Sequence, residues 1–142
     1  YFHYNDVRRL APARLEAVRF LTIRPDEAVA GRVRQRIGAS RRPSVVLVEC
    51  DESMARSIAA DISVLLAPLG VAASPLVVAT ARDAFAAAPD ARVLLFSPRA
   101  WGALTPDERL DRRALEVRYV IDADELERLG PAFGWDSQGR ER

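Results

Sequence analysis

Few residues of this chain have the chemistry that catalysis needs. His3 is the only histidine, Cys50 is the only cysteine, and the sequence contains neither a G-x-S-x-G elbow nor a glycine-rich phosphate-binding loop. Nucleophilic catalysis needs a base beside the nucleophile, and a structural zinc site needs several Cys or His ligands. The sequence therefore predicts a protein that binds a ligand or a partner, with no enzymatic activity, no cofactor and no metal.

Most polar residues that could contact a ligand follow predicted strands. Ligands of open parallel sheets bind outside the carboxyl ends of the strands. The residues predicted for such a site, with one addition from the N-terminal segment, are Arg24, Asp51, Glu52, Ser53, Ser97, Arg99, Asp122 and His3. Arg99 is the strongest of them because its planar guanidinium suits a carboxylate or phosphate beside a predicted helix start. The predicted ligand is a small anionic metabolite.

A purely structural role also explains several of these residues, and both explanations stay open. Asp51, Ser97 and Asp122 stand where helix N-caps belong. Cys50 follows an apolar strand, as a small buried residue would. Glu49 ends that strand, and we expect its carboxylate to reach the surface at the sheet edge.

Strand-like and helix-like segments alternate along the chain, which is typical of a parallel sheet. The predicted strands are Ala17–Ile23, Ser44–Glu49, Leu76–Ala79, Arg92–Phe96 and Leu115–Ile121. Helices are predicted between them, the longest from a cap at Asp51 to Leu69. We therefore predict an α/β fold with a mostly parallel five-stranded sheet and helices on both faces, a Rossmann-like or receiver-like three-layer sandwich.

The same pattern divides the 142 residues into three parts. Residues 1–16 are aromatic-rich, lie outside the repeat and are predicted to continue from a preceding lobe. Residues 17–134 form the predicted α/β domain, and residues 135–142 a polar tail. The apolar runs are too short to cross a bilayer and no secretory signal is present, so a cytoplasmic protein without membrane contact is expected. A net charge of +1 argues against direct DNA binding.

One part of the chain resembles a response-regulator receiver domain. The resemblance rests on Ser44–Arg56, with acidic residues at Glu49 and Asp51, and on Val93–Ser97. Receiver domains carry a phosphoacceptor Asp where this chain has Ser97, and a Lys after a later strand, whereas this chain has no Lys at all. A working phosphoreceiver is excluded on these two differences. A degenerate receiver-like module for protein interaction or dimerisation, without a ligand, stays as the alternative.

A larger part of the chain resembles the effector domain of certain GntR-type transcription regulators, which is similar to a periplasmic binding protein. The segments that carry this resemblance are Tyr1–Arg8, Val18–Pro25, Val45–Cys50, Leu94–Trp101 and Glu116–Asp122. The resemblance implies a second lobe that senses a small-molecule effector and controls a DNA-binding domain absent from this sequence. It implies contact with DNA only through that domain, and leaves homodimer formation open.

Overall fold

The computed structural model describes residues 23–40, 43–121, 124 and 127. The chain divides into two compact units, residues 24–120 and residues 1–23 with 121–142. Nearly all of the second unit lies outside the described residues. So do His3, Asp122, most of the predicted strand Ala17–Ile23, the polar tail 135–142 and the predicted boundaries at 16 and 134.

Six strands and five α-helices occur in the described ranges. The strands are β1 (Ile23–Pro25), β2 (Val45–Glu49), β3 (Ala73–Val77), β4 (Val93–Phe96), β5 (Ala114–Glu116) and β6 (Tyr119–Ile121). The helices are α1 (Ala28–Ile37), α2 (Glu52–Leu66), α3 (Ala84–Ala87), α4 (Pro98–Gly102) and α5 (Pro106–Arg109). Short 3₁₀ helices, Ala67–Leu69 and Ala81–Asp83, follow α2 and precede α3.

The main sheet has four parallel strands in the order β3-β2-β4-β5. Val45 is aligned with Ala73 on one side and with Val93 on the other, and Leu95 is aligned with Leu115. The chain first runs outward from β2 to β3 and then crosses back to β4 on the other side of β2. The direction of winding therefore reverses between β2 and β4.

The prediction of a five-stranded sheet is wrong. The predicted last strand Leu115–Ile121 is divided into β5 and β6, and β6 pairs with β1 in a separate two-stranded antiparallel sheet. Val117 ends the alignment with β4 by donating its N–H to the Phe96 carbonyl at 2.8 Å, and Arg118 accepts from the Asp26 N–H at 2.8 Å. The backbone thus changes sheets at these two residues, which the strand-like pattern of Leu115–Ile121 does not reveal.

The third strand also begins earlier than predicted, at Ala73 instead of Leu76. Pro75 lies within the strand, although proline cannot donate to a strand ladder. β3 is an edge strand, however, and an edge strand tolerates proline where its N–H side faces away from the sheet. Pro75 is aligned with Leu47 of β2.

The core has two layers because alternate residues of a strand point to opposite faces of the sheet. On one face Leu47, Val93 and Leu95 pack with the apolar sides of α1 and α2, including Val33 and Ile62. On the other face Val48, Leu94 and Phe96 pack with Ala84, Ala100 and Leu104 from the short helices and their connections. The predicted α/β sandwich with helices on both faces is confirmed in this coarser form.

The predicted helix ends are largely confirmed. Asp51 Oδ1 accepts from the Met54 N–H at 2.9 Å, and Ser97 Oγ accepts from the Ala100 N–H at 3.1 Å, so both residues are N-caps. Gly38 and Gly70 follow helices with φ of 54° and 69°, which glycine adopts without strain. The predicted helix to Leu69 is α-helical only to Leu66 and continues as a 3₁₀ turn. Pro68 lacks the N–H that another α-helical turn needs.

Candidate functional site

The carboxyl ends of β2 and β4 lie side by side at the centre of the main sheet. Val48 and Phe96 are aligned across the two strands, and the Ser97 N–H donates to the Val48 carbonyl at 3.3 Å. Glu49 and Ser97 therefore occupy the next positions along two neighbouring strands. In open α/β sheets a crevice forms at such a position because the connections on either side of the reversal run to opposite faces.

Glu49 is buried, and the expectation that it surfaces at the sheet edge is wrong. The residue is only 2% exposed, since β2 is an inner strand with β3 and β4 on either side. One carboxylate oxygen accepts from the Cys50 N–H at 2.6 Å. No cation lies within ion-pair distance of it in the described ranges. A buried carboxylate is costly unless it is paired and hydrogen-bonded, so this group is poorly compensated.

Ser97 is the second buried polar residue, whereas the two residues that follow it are exposed. Its hydroxyl oxygen caps α4 and leaves the hydroxyl hydrogen available for another acceptor. Pro98 and Arg99 follow it on the exposed side of α4. Arg99 has no acidic partner in the part of the chain that the structure describes. The structure thus brings Ser97 and Arg99 to the end of β4, as the strand pattern predicts.

The three predicted residues that follow β2 are exposed. Asp51 is committed to capping through the Met54 N–H, although its second carboxylate oxygen stays available. Glu52 pairs with Arg56 one helical turn further along α2. Ser53 lies in the first turn of α2, where free backbone N–H groups favour an acceptor. Capping and pairing account for Asp51 and Glu52 without a ligand.

Arg24 lies elsewhere in the fold. It belongs to β1 in the two-stranded sheet, and its guanidinium is 3.9 Å from the Glu27 carboxylate. Because Arg24 follows the predicted strand Ala17–Ile23, the sequence predicts it at the same edge of the main sheet as Arg99, where the two could grip one anion. The described residues do not bring these two arginines together in one sheet edge.

A charge pair that the sequence reading missed follows β5. The Arg118 Nε donates to Glu116 Oε2 at 2.8 Å, and this hydrogen bond raises the pKa of the Arg118 guanidinium above its ordinary value. The two opposite charges cancel, and the Arg118 side chain is more exposed than that of Glu116. The pair borders the carboxyl end of the sheet without adding net charge there.

The sequence itself indicates that Glu49 is buried. Val45, Leu47 and Glu49 have the same parity along β2, and the first two belong to the core layer beneath α1 and α2. A carboxylate in phase with buried apolar residues is expected to be buried with them. Cys50, which the sequence predicts to be a small buried residue, is instead a half-buried free thiol.

The described residues contain neither a cluster of metal ligands nor a helix that could span a membrane. No cluster of three His, Cys, Asp or Glu side chains occurs among them, and none of their helices combines the length and apolar character needed to span a bilayer.

Comparison of the chain with protein-family models, with curated proteins and with solved structures returned no match.

Proposed function

We propose that this protein is a ligand-sensing domain that binds a small molecule at the carboxyl ends of β2 and β4. One observation carries the proposal. Glu49 and Ser97 are the two buried polar residues of the described chain, and both lie at the position where the winding of the sheet reverses. Apolar residues would fill this position at lower cost, and a few convergent polar groups among apolar residues are typical of binding sites.

The charges around this position suggest the chemistry of the ligand. The Glu49 carboxylate offers an acceptor to a hydroxyl or ammonium group, whereas the exposed guanidinium of Arg99 offers a two-pronged donor to a carboxylate. A metabolite that carries both groups, such as a small hydroxy acid or amino acid, fits this arrangement. It agrees with the anionic effector expected from the sequence and adds a donor group to it.

The response to the ligand would be transmitted to another domain. The resemblance to GntR-type effector domains suggests a DNA-binding partner domain in the same polypeptide, which makes the protein a sensor for transcription regulation in the cytoplasm. In this proposal the described sheet supplies one wall of the site. Ligand binding then changes the equilibrium of the larger protein only through contacts that differ between its states.

Thermal unfolding with a panel of small hydroxy acids and amino acids tests this function. A ligand present at about one hundred times its dissociation constant should stabilise the fold by about 2.7 kcal/mol. Arg99→Ala should then reduce the affinity by about 1.5–3 kcal/mol, the range for hydrogen bonds to charged groups. Arg34→Ala is the matched control, because Arg34 is an exposed arginine on α1.

Glu49→Gln distinguishes a ligand-binding role from a structural one. Glutamine keeps an acceptor for the Cys50 N–H and removes the buried charge, so the free energy of unfolding should stay equal or rise by about 0.5–2 kcal/mol. Affinity for the ligand found in the panel should fall at the same time. A clear loss of stability with unchanged affinity would instead make the charge structural. Melting that depends on protein concentration, without any ligand response, would favour the receiver-like dimerisation module.

A further inference from the structure

Four arginines line one cavity at the amino end of the main sheet, on the edge opposite to the site described above. The cavity has a volume of about 390 Å³. Arg92 precedes β4, Arg112 and Arg113 precede β5, and Arg36 lies in the last turn of α1. These four side chains come from three separate segments, and folding alone brings them together.

Backbone carbonyls hold two of these side chains in place. The Arg92 Nε donates to the Arg36 carbonyl at 3.0 Å, and the Arg36 Nη1 donates to the Arg112 carbonyl. Each bond uses one N–H of a guanidinium that has five. The Arg92 terminal nitrogens therefore keep their donors, and the guanidinium is oriented before any ligand arrives.

Arg113 differs from the other three because its charge is compensated. Its Nε and Nη2 donate to the two carboxylate oxygens of Asp111 at 3.2 and 3.1 Å, and its Nη1 donates to the Pro89 carbonyl at 3.2 Å. The guanidinium also stacks 5.6 Å from the centre of the Phe85 ring. Arg113 is thus a structural residue of the cavity wall.

The remaining three arginines leave the cavity with an excess of positive charge. Within the described residues, Arg36, Arg92 and Arg112 have no carboxylate at ion-pair distance, and Asp90 is the one acidic residue in the lining. Three positive charges against one negative charge give a local excess of two, although the whole chain has a net charge of +1. Grouped like charges repel, and a bound anion removes that cost.

We propose that this cavity binds a small molecule through a diphosphate or similar multivalent phosphate group. Guanidinium groups pair with phosphate oxygens through parallel hydrogen bonds, and several donors from different segments suit an anion with oxygens on more than one side. The volume lies within the range for small-ligand sites, about 300–1,000 Å³. The lining is polar and charged, which favours the phosphate group over an apolar ligand. The proposal is independent of the function proposed above and uses none of its residues.

Calorimetric titration of the full chain with pyrophosphate tests the proposal, with NaCl added to the reference to match the ionic strength. We expect saturable binding of one pyrophosphate, and a loss of affinity of about tenfold or more for Arg112→Gln and for Arg92→Gln. Arg112→Gln is the cleaner variant, because its guanidinium makes no hydrogen bond within the described residues. Arg34→Gln is the control, because Arg34 is an exposed arginine of α1 outside the cavity lining, and it should bind pyrophosphate as the unaltered chain does.

The unfolding temperature of each variant without pyrophosphate shows that the fold is intact. A titration with ADP in parallel separates two sources of the phosphate group: tighter binding than pyrophosphate indicates a nucleotide, and equal binding indicates the free anion. No binding of pyrophosphate beyond the ionic-strength effect would overturn the proposal. So would full affinity in both Arg92→Gln and Arg112→Gln, or much tighter, steeply salt-dependent binding of a short DNA duplex.

Discussion

Asp111 and Arg113 form the least exposed ion pair in the described part of the chain. Their side chains are 29% and 22% exposed, and Asp111 also accepts from the Arg113 backbone N–H at 2.8 Å. The side-chain hydrogen bonds from Arg113 lower the pKa of the Asp111 carboxyl below its ordinary value. At the scale of single residues this pair anchors the loop before β5. Through Arg113 it also fixes part of the wall of the arginine-lined cavity.

The lowered pKa of Asp111 predicts a pH-dependent contribution to stability. A carboxyl whose pKa is lower in the folded state binds fewer protons there, so it stabilises the fold above its unfolded pKa of about 3.9. Asp111→Asn should reduce the free energy of unfolding by about 1.5 kcal/mol at pH 7, the lower end for charged hydrogen bonds at a partly exposed site. The difference from the unaltered chain should shrink as the pH falls below about 3.9.

Urea denaturation from pH 7 to pH 3 measures this difference. Asp61→Asn is the matched control, because Asp61 is exposed on α2 and makes no ion pair within the described residues. A constant difference at every pH would contradict the role of the charge.

At the scale of elements, α2 shows most directly how a sequence pattern becomes packing. Ile58, Ile62 and Leu66 recur at intervals of four residues, and all three are buried against the sheet. Ser63 adds a polar contact on the same side, since its hydroxyl accepts from the Ala73 N–H at 3.0 Å. The helix and β3 are thereby joined by both apolar contact and a hydrogen bond.

Truncating the buried face of α2 should be costly. Ile62 is fully buried, so Ile62→Ala should lower the free energy of unfolding by about 2–5 kcal/mol through lost apolar contact and the cavity left behind. Val64→Ala is a control on the same helix, because Val64 is 74% exposed and its truncation should change stability by no more than about 0.5 kcal/mol. Equal effects in chemical denaturation would mean that α2 does not pack as described.

At the scale of the whole molecule, β2 and β4 form the centre of the described fold. Each pairs with a strand on both sides, and each is covered on both faces by apolar side chains. β3 and β5 are the edges of the main sheet, and β1 and β6 form a sheet of only two strands. Elements with fewer buried contacts open locally at lower free energy than the core does.

Hydrogen exchange should follow this order. The amides of Val48 and Leu95 should exchange only by global unfolding, with a free energy of exchange equal to that from denaturation. The amides of β6, such as Val120, should exchange at much lower free energy through local opening. Mass spectrometry of peptides from each strand measures the difference. Protection of β6 equal to that of β2 would show that the two-stranded sheet unfolds together with the main sheet.

The local pattern predicted several features correctly because short-range chemistry determines them. Short continuous apolar runs identified β2 and β4, and apolar residues at spacings of three and four identified the buried face of α2. The caps at Asp51 and Ser97 follow from side chains that reach a backbone N–H three residues away. The placement of Ser97 and Arg99 at the end of β4 follows from the same pattern.

The tertiary structure alone decided the pairing of strands and the convergence of distant charges. Whether Leu115–Ile121 continues one strand or joins two sheets depends on a contact between Arg118 and Asp26, which no local pattern contains. Pro75 is acceptable only because β3 lies at an edge of the main sheet. The parity of β2 already places Glu49 on a buried face, and the inner position of β2 keeps the end of the strand covered. The arginine cavity joins residues 36, 92, 112 and 113, whose sequence positions give no sign that they meet. Such features depend on contacts between segments that are distant in the sequence. The free energy that stabilises those contacts comes from the whole sheet and not from any one segment.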